Sequence, residues 1–406
     1  MITRHRCPRG RSRPSWRFGV TALGLAALGA NVVSGCGVTR VTGSGATARV
    51  GVLRASLATS IETTAGSWAT IPMGHLDQPL NTFWQLFFRP PGATLWSDQA
   101  SALAVATNGG LIVASRGSAS LVVGIRPTNY LDYSPLIVTS DARSWSPEGP
   151  IGALADEPDA LAIAGGGEAM ALTSDGSSTR VILSRGRLAS WRQIATEQGL
   201  ARSQAGHLCG PVLLTAVGYA AGQGLIGASC RRDGIIGIFT LRQGTWRLVG
   251  PRLPQSSRNS TAEVLGLQAG NGGLCALVGV TAGASAGVVV ACTSGSELKW
   301  DVSPVMSIVG RQHVVSFGSA GRLGLYVLTS GSADGHLLAV SGQTETSWRR
   351  LPSPPSRTAV VVFDPAGRVD ALAADDTSFT DWRLVGGDNW KRVQQVRVPI
   401  QFGSSG

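Results

Sequence analysis

Seven tryptophans constrain this chain more than any other feature. Trp96, Trp145, Trp191, Trp246, Trp300, Trp348 and Trp390 stand 49, 46, 55, 54, 48 and 42 residues apart. Each closes a similar phrase. GIIGIFTLRQGTW, GVVVACTSGSELKW and HLLAVSGQTETSW each run from an apolar strand through a polar turn to an indole. A period near fifty is the length of one four-stranded propeller blade. The phrase is then the hairpin between a blade's third and fourth strands. An indole at the start of the fourth strand would cover the seam to the next blade, burying roughly 150–250 Å².

The rest of the chain fits an all-β fold. Gly is abundant, at 54 of 406 residues, and short apolar runs bounded by Gly, Ser, Asp and Pro recur throughout. Four strands per repeat can be picked out directly. AEVLGLQAG, GLCALVGV, GVVVACTS and KWDVS form one set; HVVSFGS, LGLYVLTS, HLLAVSG and SWRRL form the next. The prediction is a seven-bladed β-propeller of four-stranded antiparallel blades over residues 66–406. The first blade shows only SWATIP, FWQLFFRP and TLWSD. An open ring would leave unpaired strand edges. The strand-like tail VQQVRVPIQF, Val393 to Phe402, is therefore predicted to complete that blade and close the ring.

The front of the chain addresses location. Arg4, Arg6, Arg9, Arg11, Arg13 and Arg17 precede the apolar run FGVTALGLAALGANVV, with no acid among them. A basic stretch, a short apolar run and small residues describe an export signal, and the run is short for a membrane span. The run ends in VSGC, which resembles the lipobox of bacterial lipoproteins. That resemblance implies cleavage after residue 35 and a diacylglycerol on Cys36. Residues 36–65, rich in Gly, Ser, Thr and Ala, are then a flexible tether. The protein is expected at the outer face of the cell membrane. Loss of the six leader arginines lowers the basic count from 35 to 29 against 24 acids, leaving +5. With no Lys/Arg run in the remainder, nucleic-acid binding is not expected.

Export favours disulfides. With Cys7 in the leader and Cys36 lipidated, Cys209, Cys230, Cys275 and Cys292 remain. Cys275 and Cys292 flank the turn GASAG, Gly283 to Gly287, and face each other in a hairpin there. Cys209 and Cys230 are left to pair with each other. No CxxC exists, so zinc is not expected. His75, Asp77, Asp334 and His336 lack further ligands nearby. No metal or cofactor is predicted.

Several stretches invite chemical readings. GQGLIG and GASAG match phosphate-binding and nucleophile-elbow patterns, but both patterns require a following helix, and here strands follow. TSDARSWSP, Thr139 to Pro147, resembles the Asp box of sialidase-type β-propellers, with Asp141 displaced by one position and the Gly absent. FFRPPG, Phe87 to Gly92, is similar to the Phe/Tyr-Arg-Ile-Pro stretch of the same family. That similarity implies that Arg89 grips a substrate carboxylate. The family also needs a tyrosine nucleophile paired with a carboxylate. Tyr130, Tyr133, Tyr219 and Tyr326 offer no assignable pair. The linkers between repeats carry Asp156, Asp159, His207 and His313, with Glu157, Glu263 and Arg357 beside them. If the linkers share one face, these residues ring the channel mouth.

The resemblance, to a degenerate sialidase-type propeller, supports architecture more than activity. The expected function is a monomeric, lipid-anchored, non-catalytic binding or scaffold module. Its ligand is a protein partner or a cell-envelope glycan. A sialidase-like exo-glycoside hydrolase is the alternative.

Overall fold

The computed structural model describes residues 58–74, 82–99, 111–116, 120–125, 135–150, 159–174, 178–185, 188, 190–270, 273–293, 298–309, 312–331, 335–341 and 347–398. The leader, Cys36, Asp77, Tyr130, Tyr133 and Asp156 lie outside the described residues.

Strands run up and down in chain order. The first sheet contains β1 (Thr59–Thr63), β2 (Gly66–Gly74), β3 (Thr82–Arg89) and β4 (Ser97–Asp98). The second sheet joins two meanders. One is β5 (Leu111–Arg116), β6 (Ser120–Ile125), β7 (Pro135–Thr139) and β8 (Ser146–Pro150). The other is β9 (Ala160–Ile163), β10 (Ala169–Ser174), β11 (Thr179–Ser184) and β12 (Arg192–Thr196). They touch through a parallel pairing of Arg116 with Ile163.

The third sheet is also double. It begins with β13 (Pro211–Ala220), β14 (Gln223–Cys230), β15 (Gly237–Arg242) and β16 (Thr245–Leu248). It continues with β17 (Thr261–Gly270), β18 (Gly273–Ala282), β19 (Ser285–Thr293), β20 (Trp300–Val302) and β21 (Met306–Ile308). Ser229 and Cys230 pair with Glu263 and Ala262 to join the halves. The fourth sheet is β22 (His313–Ser319), β23 (Leu325–Gly331), β24 (Gly335–Ser341) and β25 (Arg349–Leu351). The last is β26 (Thr358–Phe363), β27 (Val369–Asp375), β28 (Ser378–Val385) and β29 (Asn389–Arg397). The all-β expectation is borne out.

Burial follows position in each meander. β18 and β19 are buried on both faces along nearly their whole length, whereas β29 is mostly exposed. Continuous apolar runs such as CALVGV are what a strand covered on both faces requires. The apolar clusters lie between consecutive meanders. Val264 and Val278 pack with Leu225 and Ile238, for example. One cluster joins the first sheet to the last, where Phe87 stacks on Phe379 with ring centroids 4.0 Å apart.

The repeating tryptophans begin or immediately precede the outer strands, as their spacing predicts. Three of them also bridge meanders. Trp300 Nε1 donates to the Val249 carbonyl at 2.8 Å, Trp348 to Pro304 at 2.7 Å and Trp390 to Pro352 at 3.2 Å. Each acceptor lies three or four residues beyond the preceding tryptophan. Between the last and first sheets a side chain does the same work. Gln394, four residues past Trp390, accepts from the Trp96 amide at 2.8 Å and donates to its carbonyl at 2.9 Å.

The chain's two ends correct the sequence expectation. β29 pairs along β28, from Ser378 with Arg397 to Val385 with Asn389, so residues 393–397 of the tail belong to the last sheet and not to the first. That sheet's fourth strand is β1, within the stretch assigned to the tether. The folded domain therefore starts before residue 66. TSIET escapes notice because its hairpin turn is Thr64-Ala65, without the usual Asn-Gly signal. The first and last sheets meet through packing and side chains, and through single backbone contacts such as Gly74 N to Asp376 O at 2.8 Å.

Both expected disulfides form. Cys275 and Cys292 are register partners on β18 and β19, and Cys209 is bonded to Cys230.

Candidate functional site

Arg89 ends β3, whose alternation places Phe83, Phe87 and Arg89 toward the last sheet. Its side chain is 1% exposed. Nη1 pairs with Asp370, Nη2 lies 3.6 Å from Asp364, and the guanidinium carbon sits 4.6 Å from the Trp96 ring centre. Arg383 Nε donates to Asp370 at 2.8 Å. Arg368 pairs with Asp364 and donates to the Ala93 carbonyl at 3.0 Å. Opposite charges from the two ends of the chain are thus locked together and screened from water. A guanidinium buried this way between two carboxylates is out of reach of a substrate carboxylate. The Arg89 clamp implied by the family resemblance is replaced by an internal ion pair, and Pro90-Pro91-Gly92 is a turn with Gly92 at φ +77°.

Two further carboxyls face this network. Burial pushes Glu62 up to about 7, opposed by its hydrogen bond from Ser67 and by Arg89. Burial, then repulsion from Asp370, raises Asp381 to about 7, opposed by Arg89 and Arg383. Asp381 is fully buried, and neither of its oxygens has a hydrogen-bond partner among the described residues. Both groups hold protons more tightly folded than unfolded. Their contribution to stability is complete below their unfolded values near 4 and is lost as pH rises through about 7. The melting temperature is expected to be higher near about pH 5.5 than near about pH 8.5. Asp381→Asn should raise it at both pH values, and by more at the alkaline one. Thermal melts of both proteins at both pH values check this.

The Asp-box-like turn has a local role. Asp141 accepts from the amides of Arg143 and Ser144, both at 2.8 Å, and from the Ser144 hydroxyl at 2.7 Å. These bonds hold its carboxyl well below the usual carboxylate range. They also support Ala142 at φ 61°, a left-handed position. TSDARSWSP therefore ties the β7–β8 hairpin.

The linker candidates occupy equivalent places. Asp159 precedes β9, His313 begins β22 and Arg357 precedes β26. In an up-and-down meander, the starts of the inner strands and the turns between second and third strands share one end. His207 is exposed on the short helix Gln204–Cys209, ahead of β13. Asp159, His207, His313 and Arg357 thus stand at the starts of four separate meanders.

That same end carries an arrangement the sequence did not reveal. After β14 the turn at Arg231 folds onto the helix end: Arg231 N donates to Gly210 O at 3.1 Å and Arg232 N to Cys209 O at 3.0 Å. The turn is also sewn to the next linker. Gly234 N donates to Ser260 O at 2.9 Å, Leu253 N to Gly234 O at 3.0 Å, and Ile235 pairs with Arg252. The Cys209–Cys230 disulfide braces the base. Arg231, Arg232, Arg252 and Arg258 are all exposed on this platform. They come from separate segments, so no basic run betrays them.

No known protein-family profile matches the chain, and no curated protein matches it in sequence. Solved structures do match. The BP39L lectin from Burkholderia pseudomallei superposes with a TM-score of 0.53 at 13% identity, covering 85% of this chain and 99% of that one. A putative 6-phosphogluconolactonase from Bacteroides uniformis gives 0.48 at 11% identity, covering 83% and 98%. The β-propeller domain of the Trilobed protease from Pyrococcus furiosus gives 0.39 at 7%, covering 86% and 98%. The chain is a β-propeller. Likeness at this level of identity is architectural.

Proposed function

We propose that this chain is an exported, lipid-anchored propeller of seven blades that binds a cell-envelope glycan without cleaving it. One observation carries the preference for binding over hydrolysis. Arg89, the residue that would hold a sugar carboxylate, is buried and already neutralised by Asp370 and Asp364. A scaffold of paired strands and two disulfides suits a surface that recognises without rearranging. The architectural likeness to a lectin is consistent with this reading. Packing of the first sheet on the last closes the ring. Cys36 carries the lipid, and the ligand meets the end of the propeller bearing the inter-blade linkers.

Glycan-array binding and a fluorogenic-glycoside panel, both on the full chain in detergent, test the proposal. Binding without turnover is expected. Turnover of any glycoside would establish the hydrolase instead, and capture of a protein with no glycan binding would establish a scaffold. For the anchor, Cys36→Ala should abolish labelling by radioactive palmitate and move the protein out of the membrane fraction.

A further inference from the structure

We infer that the arginine platform above the fourth blade is the ligand site, and that its ligand is an acidic polysaccharide. The inference rests on the glycan-binding reading and adds the place and the chemistry.

Backbone contacts gather four exposed arginines here. Arg231 and Arg232 sit in the turn after β14, Arg252 pairs by backbone with Ile235 beside that turn, and the Arg258 backbone packs against Gly234. Among the described residues none of the four forms an ion pair. This contrasts with Arg89, Arg368 and Arg383, whose charges are consumed internally. Asp233 shares the turn and leaves a clear positive excess. His207 adds an imidazole just before Gly210. Arginine suits the task, because its planar fork matches a carboxylate or phosphate with two parallel bonds. The backbone that carries these side chains is fixed by cross-linker hydrogen bonds and the Cys209–Cys230 disulfide. Little loop entropy is then lost on binding.

The surroundings select the kind of polyanion. Among the described residues no aromatic side chain is exposed. Single-stranded nucleic acids need such rings to stack their bases. Protein partners are usually held by aromatic and apolar anchors, and Leu208 is the large exposed apolar side chain of the adjoining helix. What the platform offers is charge and hydrogen-bond donors, which fits a chain of hydroxyl-rich units bearing regularly spaced anions.

Titration calorimetry with polygalacturonate tests this, with dextran as the neutral polymer and polyglutamate and a single-stranded oligodeoxynucleotide as other polyanions. Polygalacturonate should bind, and its affinity should fall steeply between low and moderate salt as counterions are released. Arg231→Ala with Arg232→Ala should weaken binding about tenfold or more and flatten the salt dependence. Arg252→Gln with Arg258→Gln should do likewise. Arg392→Ala with Arg397→Ala, on the exposed outer strand of the last sheet, should change nothing. Circular dichroism melts should be unaltered throughout, because the platform is held by backbone bonds. Polygalacturonate binding that survives both platform variants would overturn the inference, as would equal binding of polyglutamate or the oligonucleotide. Binding of dextran alone would also overturn it while leaving the glycan-binding reading intact. If the chain binds no glycan, neutral or acidic, on the array or in solution, both readings fall.

Discussion

Arg89→Ala is expected to cost about 3–5 kcal/mol of folding stability, the usual cost of breaking a buried ion pair from one side. The substitution leaves Asp370, which is fully buried, with only Arg383, and Asp364 with only Arg368. It also removes the guanidinium from the face of Trp96, at the contact between the first and last sheets. Urea denaturation followed by tryptophan fluorescence should show a lower midpoint. Arg357 is the control, since its partner Asp375 is just as intimately placed. Their side chains are 63% and 58% exposed, however, and Arg357→Ala should cost less than about 1 kcal/mol. Equal, small losses for the two variants would mean that burial of the Arg89 network contributes nothing special.

Loss of the Cys275–Cys292 bond is expected to cost about 3 kcal/mol, the chain-entropy value for a loop of this size. The sequence separation is 17 residues, and the bond joins strands whose interior faces are already packed with Leu277, Val288 and Val290. Cys275→Ala with Cys292→Ala avoids burying two lone hydroxyls. Its melting temperature should fall by several degrees. A reductant should then lower the melting of the parent protein further than that of the variant, because only the parent has both bonds to lose. A non-reducing peptide map should recover Cys275 linked to Cys292 and Cys209 linked to Cys230. Any free thiol among the four would contradict the structure.

The features legible in the sequence were periodic or local. The tryptophans marked the outer strands because an indole at each junction leaves a repeating trace. The Cys275–Cys292 pair was legible because a hairpin fixes which residues face each other. What escaped depends on distant parts of the chain meeting. Nothing near Arg89 in sequence hints at Asp364 or Asp370, and a motif resemblance therefore suggested a ligand clamp. The tail looked like the missing strand because β1 is short, Thr-rich and turned by Thr-Ala. The four platform arginines lie in one turn and in the linker that follows β16, and only hydrogen bonds between the two bring them together. Net charge could not reveal them either, since buried pairs consume several of the other arginines.

The indole-to-carbonyl bonds have a consequence for how such a chain can change over evolutionary time. Each of the indoles of Trp300, Trp348 and Trp390 donates to a carbonyl three or four residues past its predecessor in the series, and the Gln394 side chain carries the same offset across to the Trp96 backbone. A duplicated or deleted segment keeps every donor facing an acceptor only if it is one whole repeat, cut at the same point in its cycle. Insertions of other lengths must go into linkers, where they disturb no junction. The two short helices between β12 and β13, Glu197–Ala201 and Gln204–Cys209, lie in such a linker, beside the turn that carries Arg231 and Arg232.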